Sequence, residues 1–437
     1  MAPRSRTKSW PLGLALVALG ATACSKSPDV AKRPNILLIT VDTLRADHLQ
    51  PYGYQRPTSP QLAELAQGAM VFEDAQSTAP WTLPSLASLV TGLPAAAHGC
   101  RSFYSSLAPS YSTLAEQLLA GGYDTAAVVS HVFLGRPYGL HQGFVHFDDE
   151  LVLELTRSDQ AISSKAVSDK GLAYLDAKAA AGGDEPWFLW LHYFDPHSVY
   201  QAHPDQVGTF GTKRPMDLYD GEVAFTDRHI GRILDGLGGL GLTDDTVVVF
   251  TSDHGEEFQD HGGLDHGHTL HEELLHLPLI IRVPGEDPGR HAGMVRIIDV
   301  PATILDLATL PAAPESFGQS LRPLIEGRVG PDLPPAIAEL DRNTYRDQIS
   351  LTTTETKVIL NRQTGKPELY DRVGDRSEQH NLAPAKQAET QALLEELAIL
   401  QQAAVDVAAR HTDRVDQNLG TPEIENLSGL GYVDDKE

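Results

Sequence analysis

The sequence predicts an α/β protein with a mostly parallel central sheet flanked by helices and a small C-terminal subdomain of antiparallel sheet plus helix. Three observations predict it. Short apolar runs alternate with amphipathic stretches over the first three quarters of the chain, the pattern of strands covered by helices. The residues that follow those runs are acids and histidines, as expected at the carboxyl edge of an open α/β sheet. From about Pro335 the texture changes to alternating Thr, Ile and Val, then to one long Ala/Leu/Gln/Glu stretch.

The 437 residues are 41% hydrophobic and 21% charged, which excludes a wholly disordered or fibrous chain. Lys+Arg number 34 against 59 Asp+Glu, a net charge of −25. So acidic a surface repels phosphate backbones, and no nucleic-acid partner is expected.

In order along the chain, residues 1–23 carry Arg4, Arg6 and Lys8, then an apolar run from Trp10 to about Gly20, then Ala21-Thr22-Ala23 before Cys24. This is a secretory signal pattern whose apolar run is too short to span a bilayer. A Cys directly after small residues is similar to the bacterial lipoprotein signal. It implies export to the periplasm or cell envelope and membrane attachment through a lipid anchor at Cys24. Cys100 would then be the only other cysteine, and no intramolecular disulfide could form. Residues 24–33 form a polar linker, 34–334 the catalytic domain, 335–410 the C-terminal subdomain and 411–437 a peripheral tail.

Strands are expected at Asn35–Val41, Asp124–Ser130, Trp187–Tyr193, Thr246–Ser252 and Leu277–Val283. Thr58-Ser59-Pro60 supplies a cap and a first-turn Pro for a helix with Leu62, Leu65 and Ala66 inward, stopped by Gly68. Leu218 to Leu237 reads as a second helix. Gln348–Asn361 and Glu368–Asp371 should form the small antiparallel sheet, with residues 384–410 as its helix.

The strand ends collect chemistry: Asp42-Thr43, Ser130-His131, His192 with Asp195-Pro196-His197, and Asp253-His254-Gly255. Carboxylates and imidazoles on one edge are the ligand set of a divalent-metal site. Six of the eighteen histidines fall within residues 254–276. Of these His271 and His276 lie in a helix-like stretch and are expected to pack, whereas His266, in Asp-His-Gly, is a better site candidate. In Trp81-Thr82-Leu83-Pro84, Thr82 stands at a helix N-cap. It can be a plain cap, or a nucleophile placed where free N–H groups cradle an anion. These residues alone leave both readings open.

Taken together, residues 33–381 resemble the sulfatase branch of the alkaline phosphatase superfamily. The blocks that carry the resemblance are Arg33-Pro34-Asn35 through Asp42-Thr43-Leu44-Arg45-Ala46-Asp47, Trp81 to Gly92, His192 to His197, Thr251 to Glu256, and Glu368-Leu369-Tyr370-Asp371 before His380-Asn381-Leu382. Sulfatases proper convert a Cys or Ser in C-x-P-x-R or S-x-P-x-R to formylglycine, and here that motif reads Thr82-Leu83-Pro84-Ser85-Leu86. A Thr bears a methyl on Cβ and cannot become an aldehyde, so no formylglycine is expected. A Thr in that position is what phosphoethanolamine and lipoteichoic-acid transferase relatives use.

The resemblance implies one metal held by Asp42, Thr82, Asp253 and His254, with Zn²⁺ or Mn²⁺ favoured over Ca²⁺ because a ring nitrogen is among the ligands. It implies Thr82, His197 and His266 as catalytic residues and His131, His197 and His266 as substrate contacts, His131 lying near the place of a substrate-binding Lys in sulfatases. Asp195 is expected to orient His197 rather than hold a second metal. Arg45 and Asp47 read as an ion pair, Asp299 as a cap or loop anchor and Trp81 as packing. The function implied is metal-dependent cleavage of phosphate or sulfate esters through Thr82, with phosphoester hydrolysis or transfer favoured and a small-molecule, glycan or lipid ester as substrate. The alternatives are sulfate-ester hydrolysis at an unmodified site and an inactive binding lipoprotein. Specificity is expected in Leu151–Lys170 and Ser198–Arg214.

Overall fold

The computed structural model describes residues 32–155, 163–341 and 347–414. The expected signal segment, Cys24 and most of the linker and tail lie outside the described residues, as does part of the Leu151–Lys170 loop. In chain order the strands are β1 (Asn35–Val41), β2 (Met70–Gln76), β3 (Asp124–Val128), β4 (His146–Asp148), β5 (Trp187–Tyr193), β6 (Thr246–Ser252), a short hairpin β7 (Glu257–Phe258) and β8 (Leu264–Asp265), β9 (His276–Arg282) and β10 (Gly289–Arg296). After these come β11 (Ala336–Asp341), β12 (Asp347–Thr352), β13 (Thr356–Asn361) and β14 (Lys366–Asp371).

The main sheet has eight strands in the order β10-β2-β9-β6-β1-β5-β3-β4. All neighbours pair in parallel except β9, which runs against both β6 and β2. Strands β1, β5 and β6 are buried along their whole length, which is why they read as continuous apolar runs. Alternate side chains enter different cores. Ile36 and Leu38 join Leu83, Leu86 and Leu89 of the helix Thr82–Thr91, while Leu37, Ile39 and Val41 join Tyr219, Val223 and Ile233 of the helix Pro215–Gly239. The second sheet, β11-β12-β13-β14, is antiparallel throughout. Its Ile349, Leu351, Val358 and Leu369 pack with Leu397 of the helix Gln387–Ala408.

Several boundaries differ from the sequence expectation. Strand β3 stops at Val128, short of the expected Ser130, because Ser130 turns to bond the neighbouring strand, donating to the His192 carbonyl at 2.8 Å and accepting the Phe194 N–H at 3.0 Å. Strands β2, β4, β7, β8, β10 and β11 were not expected. In β2 the apolar run is broken by Glu73 and Asp74, and Asp74 is buried against Arg372 and the Gln76 amide. Ser59 precedes the helix Pro60–Gln67 without capping it, since its hydroxyl accepts from Gln50 N. The free N–H groups of Gln61 and Leu62 go instead to the Asp227 carboxylate, each at 2.9 Å. Among the described residues no helix is long and apolar enough to cross a membrane.

Candidate active site

Asp42, Thr82, Asp253 and His254 converge beyond the carboxyl ends of β1 and β6, all fully buried. Thr82 is the first residue of its helix, and Trp81 rather than Thr82 occupies the cap position. The Thr82 side chain is thereby free to face the cluster, and its Oγ lies 3.3 Å from Nε2 of His254. One turn along, the Ser85 hydroxyl donates to the Asp253 carbonyl at 2.6 Å, pinning this helix to the end of β6.

Electron-pair donors face one another here. Nδ1 of His254 lies 2.9 Å from the Gly255 carbonyl, which can only accept, so that nitrogen carries the proton and Nε2 presents its lone pair. That lone pair lies 3.5 Å from both Asp42 Oδ1 and Asp253 Oδ2. Both Asp42 oxygens and Asp253 Oδ2 are buried without a hydrogen-bond partner. Burial, then the nearby Asp253 charge, pushes the Asp42 carboxyl well above the usual carboxylate range. Such an arrangement is costly unless a cation compensates it. One ligand atom from each of Asp42, Asp253 and His254 falls within 4.8 Å of the others. The donor set therefore fits a divalent cation, with Thr82 Oγ beside it.

The surrounding imidazoles divide by tautomer. His131 Nδ1 accepts the Phe133 N–H at 3.1 Å, so its Nε2–H is directed at Asp42 Oδ2, 3.6 Å away. His192 was placed at a strand end by the sequence but given no role. Its Nδ1 lies 2.8 Å from Thr40 Oγ, which accepts the Trp190 indole N–H at 2.9 Å. Nε2 of His192 faces only the Asp42 Oδ2 acceptor, 3.6 Å away, so the proton belongs there and Nδ1 accepts the Thr40 hydrogen. His197 is the opposite case: its Nδ1–H meets the Ser198 carbonyl at 2.6 Å, leaving Nε2 unprotonated. Burial lowers the pKa of His131 well below its ordinary value and those of His192 and His197 to about 4 and about 3, so all three are neutral at pH 7.

His266 packs against both His254 and His197, with ring centroids 4.5 and 4.9 Å away, tilted to the first and edge-on to the second. Its Nδ1 lies 3.0 Å from Glu256 Oε1, and the Tyr200 hydroxyl donates to Glu256 Oε2 at 2.9 Å. Sequence reasoning missed Glu256 and Tyr200 as well as His192. The position of Glu256 two residues after His254 was the available signal.

Other residues lie elsewhere. Asp195 neither holds a metal nor orients His197: its carboxylate accepts the N–H groups of Ser163 and Ser164 and the Ser164 hydroxyl, at the start of the helix Ser164–Ala181. Arg45 pairs with Asp47 but also with Asp260 and the Glu256 carbonyl, clamping the loop after β1 to the loop after β6. Asp299 anchors Arg296 and the Gln319 N–H, and Trp81 packs against Phe103 and Phe133. His271 meets Glu378 and His276 meets the Glu73 carbonyl, both away from the cluster.

Residues 34–310 match the family model described as Sulfatase, and residues 259–403 match that described as N-sulphoglucosamine sulphohydrolase, C-terminal. An arylsulfatase of Clostridium perfringens is 23% identical, over 80% of this chain and 90% of its own. Arylsulfatase A of Homo sapiens is 28% identical, over 68% of this chain and 69% of its own. The crystal structure of a phosphonate monoester hydrolase of Agrobacterium radiobacter shares the fold with a TM-score of 0.73 at 20% identity, covering 89% of this chain and 100% of that one.

Proposed function

The chain belongs to the sulfatase family of ester hydrolases, which is metal dependent, and from that premise we propose that it cleaves phosphate esters with Thr82 as nucleophile, by hydrolysis or by transfer to an acceptor alcohol. The observation that carries the reading is the Thr82 hydroxyl, 3.3 Å from His254 Nε2 in the place where a formylglycine would otherwise stand. Asp42, Asp253, His254 and Thr82 would hold one divalent cation, Zn²⁺ or Mn²⁺ in preference to Ca²⁺ given the imidazole. When bound, such a cation lowers the pKa of a neighbouring hydroxyl and draws charge from an ester oxygen.

The residues themselves divide the work. Thr82 gives up its proton to solvent, and its Oγ forms a bond to phosphorus as the bond to the leaving oxygen breaks. His266, backed by Glu256, protonates that leaving oxygen. His131 offers an N–H to the non-bridging oxygens, and His192 holds Asp42. In the second half the attacking water or alcohol passes its proton back to His266, beside the His197 ring, and the Thr82 Oγ–phosphorus bond breaks as Oγ takes up a proton from solvent. Sulfate-ester cleavage by the same Thr82 is the second reading, favoured by the arylsulfatases among the relatives.

The test is metal content of the purified protein with Asp253→Asn as control, then turnover of aryl phosphate mono- and diesters and of aryl sulfate on the same sample. Near-stoichiometric Zn or Mn, lost in the variant, with phosphoester cleavage abolished by Thr82→Ala, is expected. Turnover that survives Thr82→Ala removes the nucleophile assignment, and cleavage of aryl sulfate alone selects the second reading. We also infer export and a lipid anchor at Cys24. Labelled palmitate should enter the protein in bacterial cells and not enter Cys24→Ser, and equal labelling of both would refute the anchor.

A further inference from the structure

A cavity of about 340 Å³ opens beside the cluster, large enough for a small organic group. It begins where the catalytic histidines end. Ser198, next after His197, and Asp265, next before His266, both line it. Tyr200 lines it too, and donates its hydroxyl to Glu256, whose other oxygen faces His266.

Part of its wall is apolar and open to solvent. Val199 is 76% exposed and Leu264 is 52% exposed, and Phe258 and Tyr200 stand beside them. Aliphatic side chains left open on both sides of one cavity gain by being covered. The charged residues argue against a polyanion. Arg214 is committed to Asp217, with Nη2 2.7 Å from Oδ1, and the acids Glu257 and Asp265 outnumber the remaining Lys213. With a net charge of −25 over the whole chain, the surroundings add no attraction for a multiply charged glycan.

We propose that this cavity receives an apolar leaving group, an aryl or long alkyl body, of the ester whose reacting group sits at Thr82. The proposal rests on the Thr82 reading for what is cleaved, but not for what is held. Covering Val199 and Leu264 makes binding depend on the apolar area of the leaving group, and an ester with only a short alkyl group leaves the cavity empty.

Two measurements on the full chain test it. Calorimetric titration with alkylphosphonic acids from ethyl to octyl, which have no ester bond to cleave, should give a Kd that falls roughly three- to fourfold per methylene until the cavity is filled. Val199→Asp and Leu264→Asp should flatten that dependence. In parallel, kcat/KM for the matching alkyl phosphate esters should rise along the series. A Kd independent of chain length, failure of every phosphonate to bind, or tighter binding of a disulfated disaccharide than of octylphosphonate overturns the proposal. Chain-length-dependent binding without hydrolysis of any ester upholds the cavity and removes the Thr82 reading. Hydrolysis at equal kcat/KM along the series does the reverse.

Discussion

Glu256 holds His266 from behind: its Oε1 lies 3.0 Å from Nδ1 of the ring, and both side chains are buried. The ring that faces His254 and His197 therefore has its orientation set by a carboxyl group from the loop after β6. Glu256→Ala should let the ring reorient and lower kcat about 10- to 100-fold with little change in KM. Steady-state kinetics on a phosphate monoester checks this, and a change confined to KM would mean that Glu256 shapes binding instead.

His192 gives a sharper discrimination, because its Nε2 has no partner beyond Asp42. If Asp42 holds a cation, His192→Leu frees that carboxylate to rotate, and metal affinity should drop about 10- to 100-fold in a chelator competition. Thr40→Val, which removes the acceptor of the Trp190 N–H and the partner of His192 Nδ1, should act in the same direction more weakly. An unchanged affinity together with a raised melting temperature would show that the substitution merely removed an unsatisfied buried polar atom.

Arg372 joins the small sheet to the large one. Its guanidinium donates to Asp74 in β2 at 2.7 and 2.9 Å and to Glu272 at 3.0 Å, almost entirely out of solvent. Arg372→Met leaves those two acids buried with most of their compensation gone, and should cost about 3–5 kcal/mol in urea unfolding. A loss under about 1 kcal/mol would place the attachment of the subdomain in its apolar contacts instead.

The stacked rings of His261 and His271, 3.7 Å apart, predict a dependence on pH. Burial opposes charge on His261, but Glu273 at 2.8 Å and Glu378 outweigh it and raise its pKa from 6.5 to about 9. The stability this supplies is complete below about pH 6.5 and is lost as the pH rises to about 9. The melting temperature should fall by a few degrees across that window, and His261→Gln should make the profile flatter there. An identical slope in the variant would assign the effect to other groups.

The strands that build the centre of the sheet are readable in the sequence because burial on both faces gives each an unbroken apolar run, as in Val247 to Phe250. The strand β2 is not, because the burial of Asp74 depends on Arg372, 298 positions away. Asp42, Asp253 and His254 could be singled out because each directly follows a readable strand. His192 also ends such a strand, but what sets it apart is the proton on Nε2, and that depends on Thr40 and Trp190 of paired strands. Thr82 illustrates a smaller gap: cap and first helical residue differ by one position in the sequence, yet only the second leaves the hydroxyl turned toward His254.

The reversal of β9 has an evolutionary corollary. Since β9 lies beside β6 and runs the other way, the segment between them leaves and re-enters the sheet at one edge, with Thr251 facing Leu279 across the pair. The histidine-rich segment is thus a hairpin connection of unusual length, and the entropy of closing such a connection grows only slowly as residues are added. Between Glu256 and His266, and between His266 and Glu272, such a connection can lengthen or shorten while the strands on either side keep their register and those three residues keep their places. Descendants of this chain can acquire new recognition by grafting in this one segment, with the nucleophile on its separate helix left where it is.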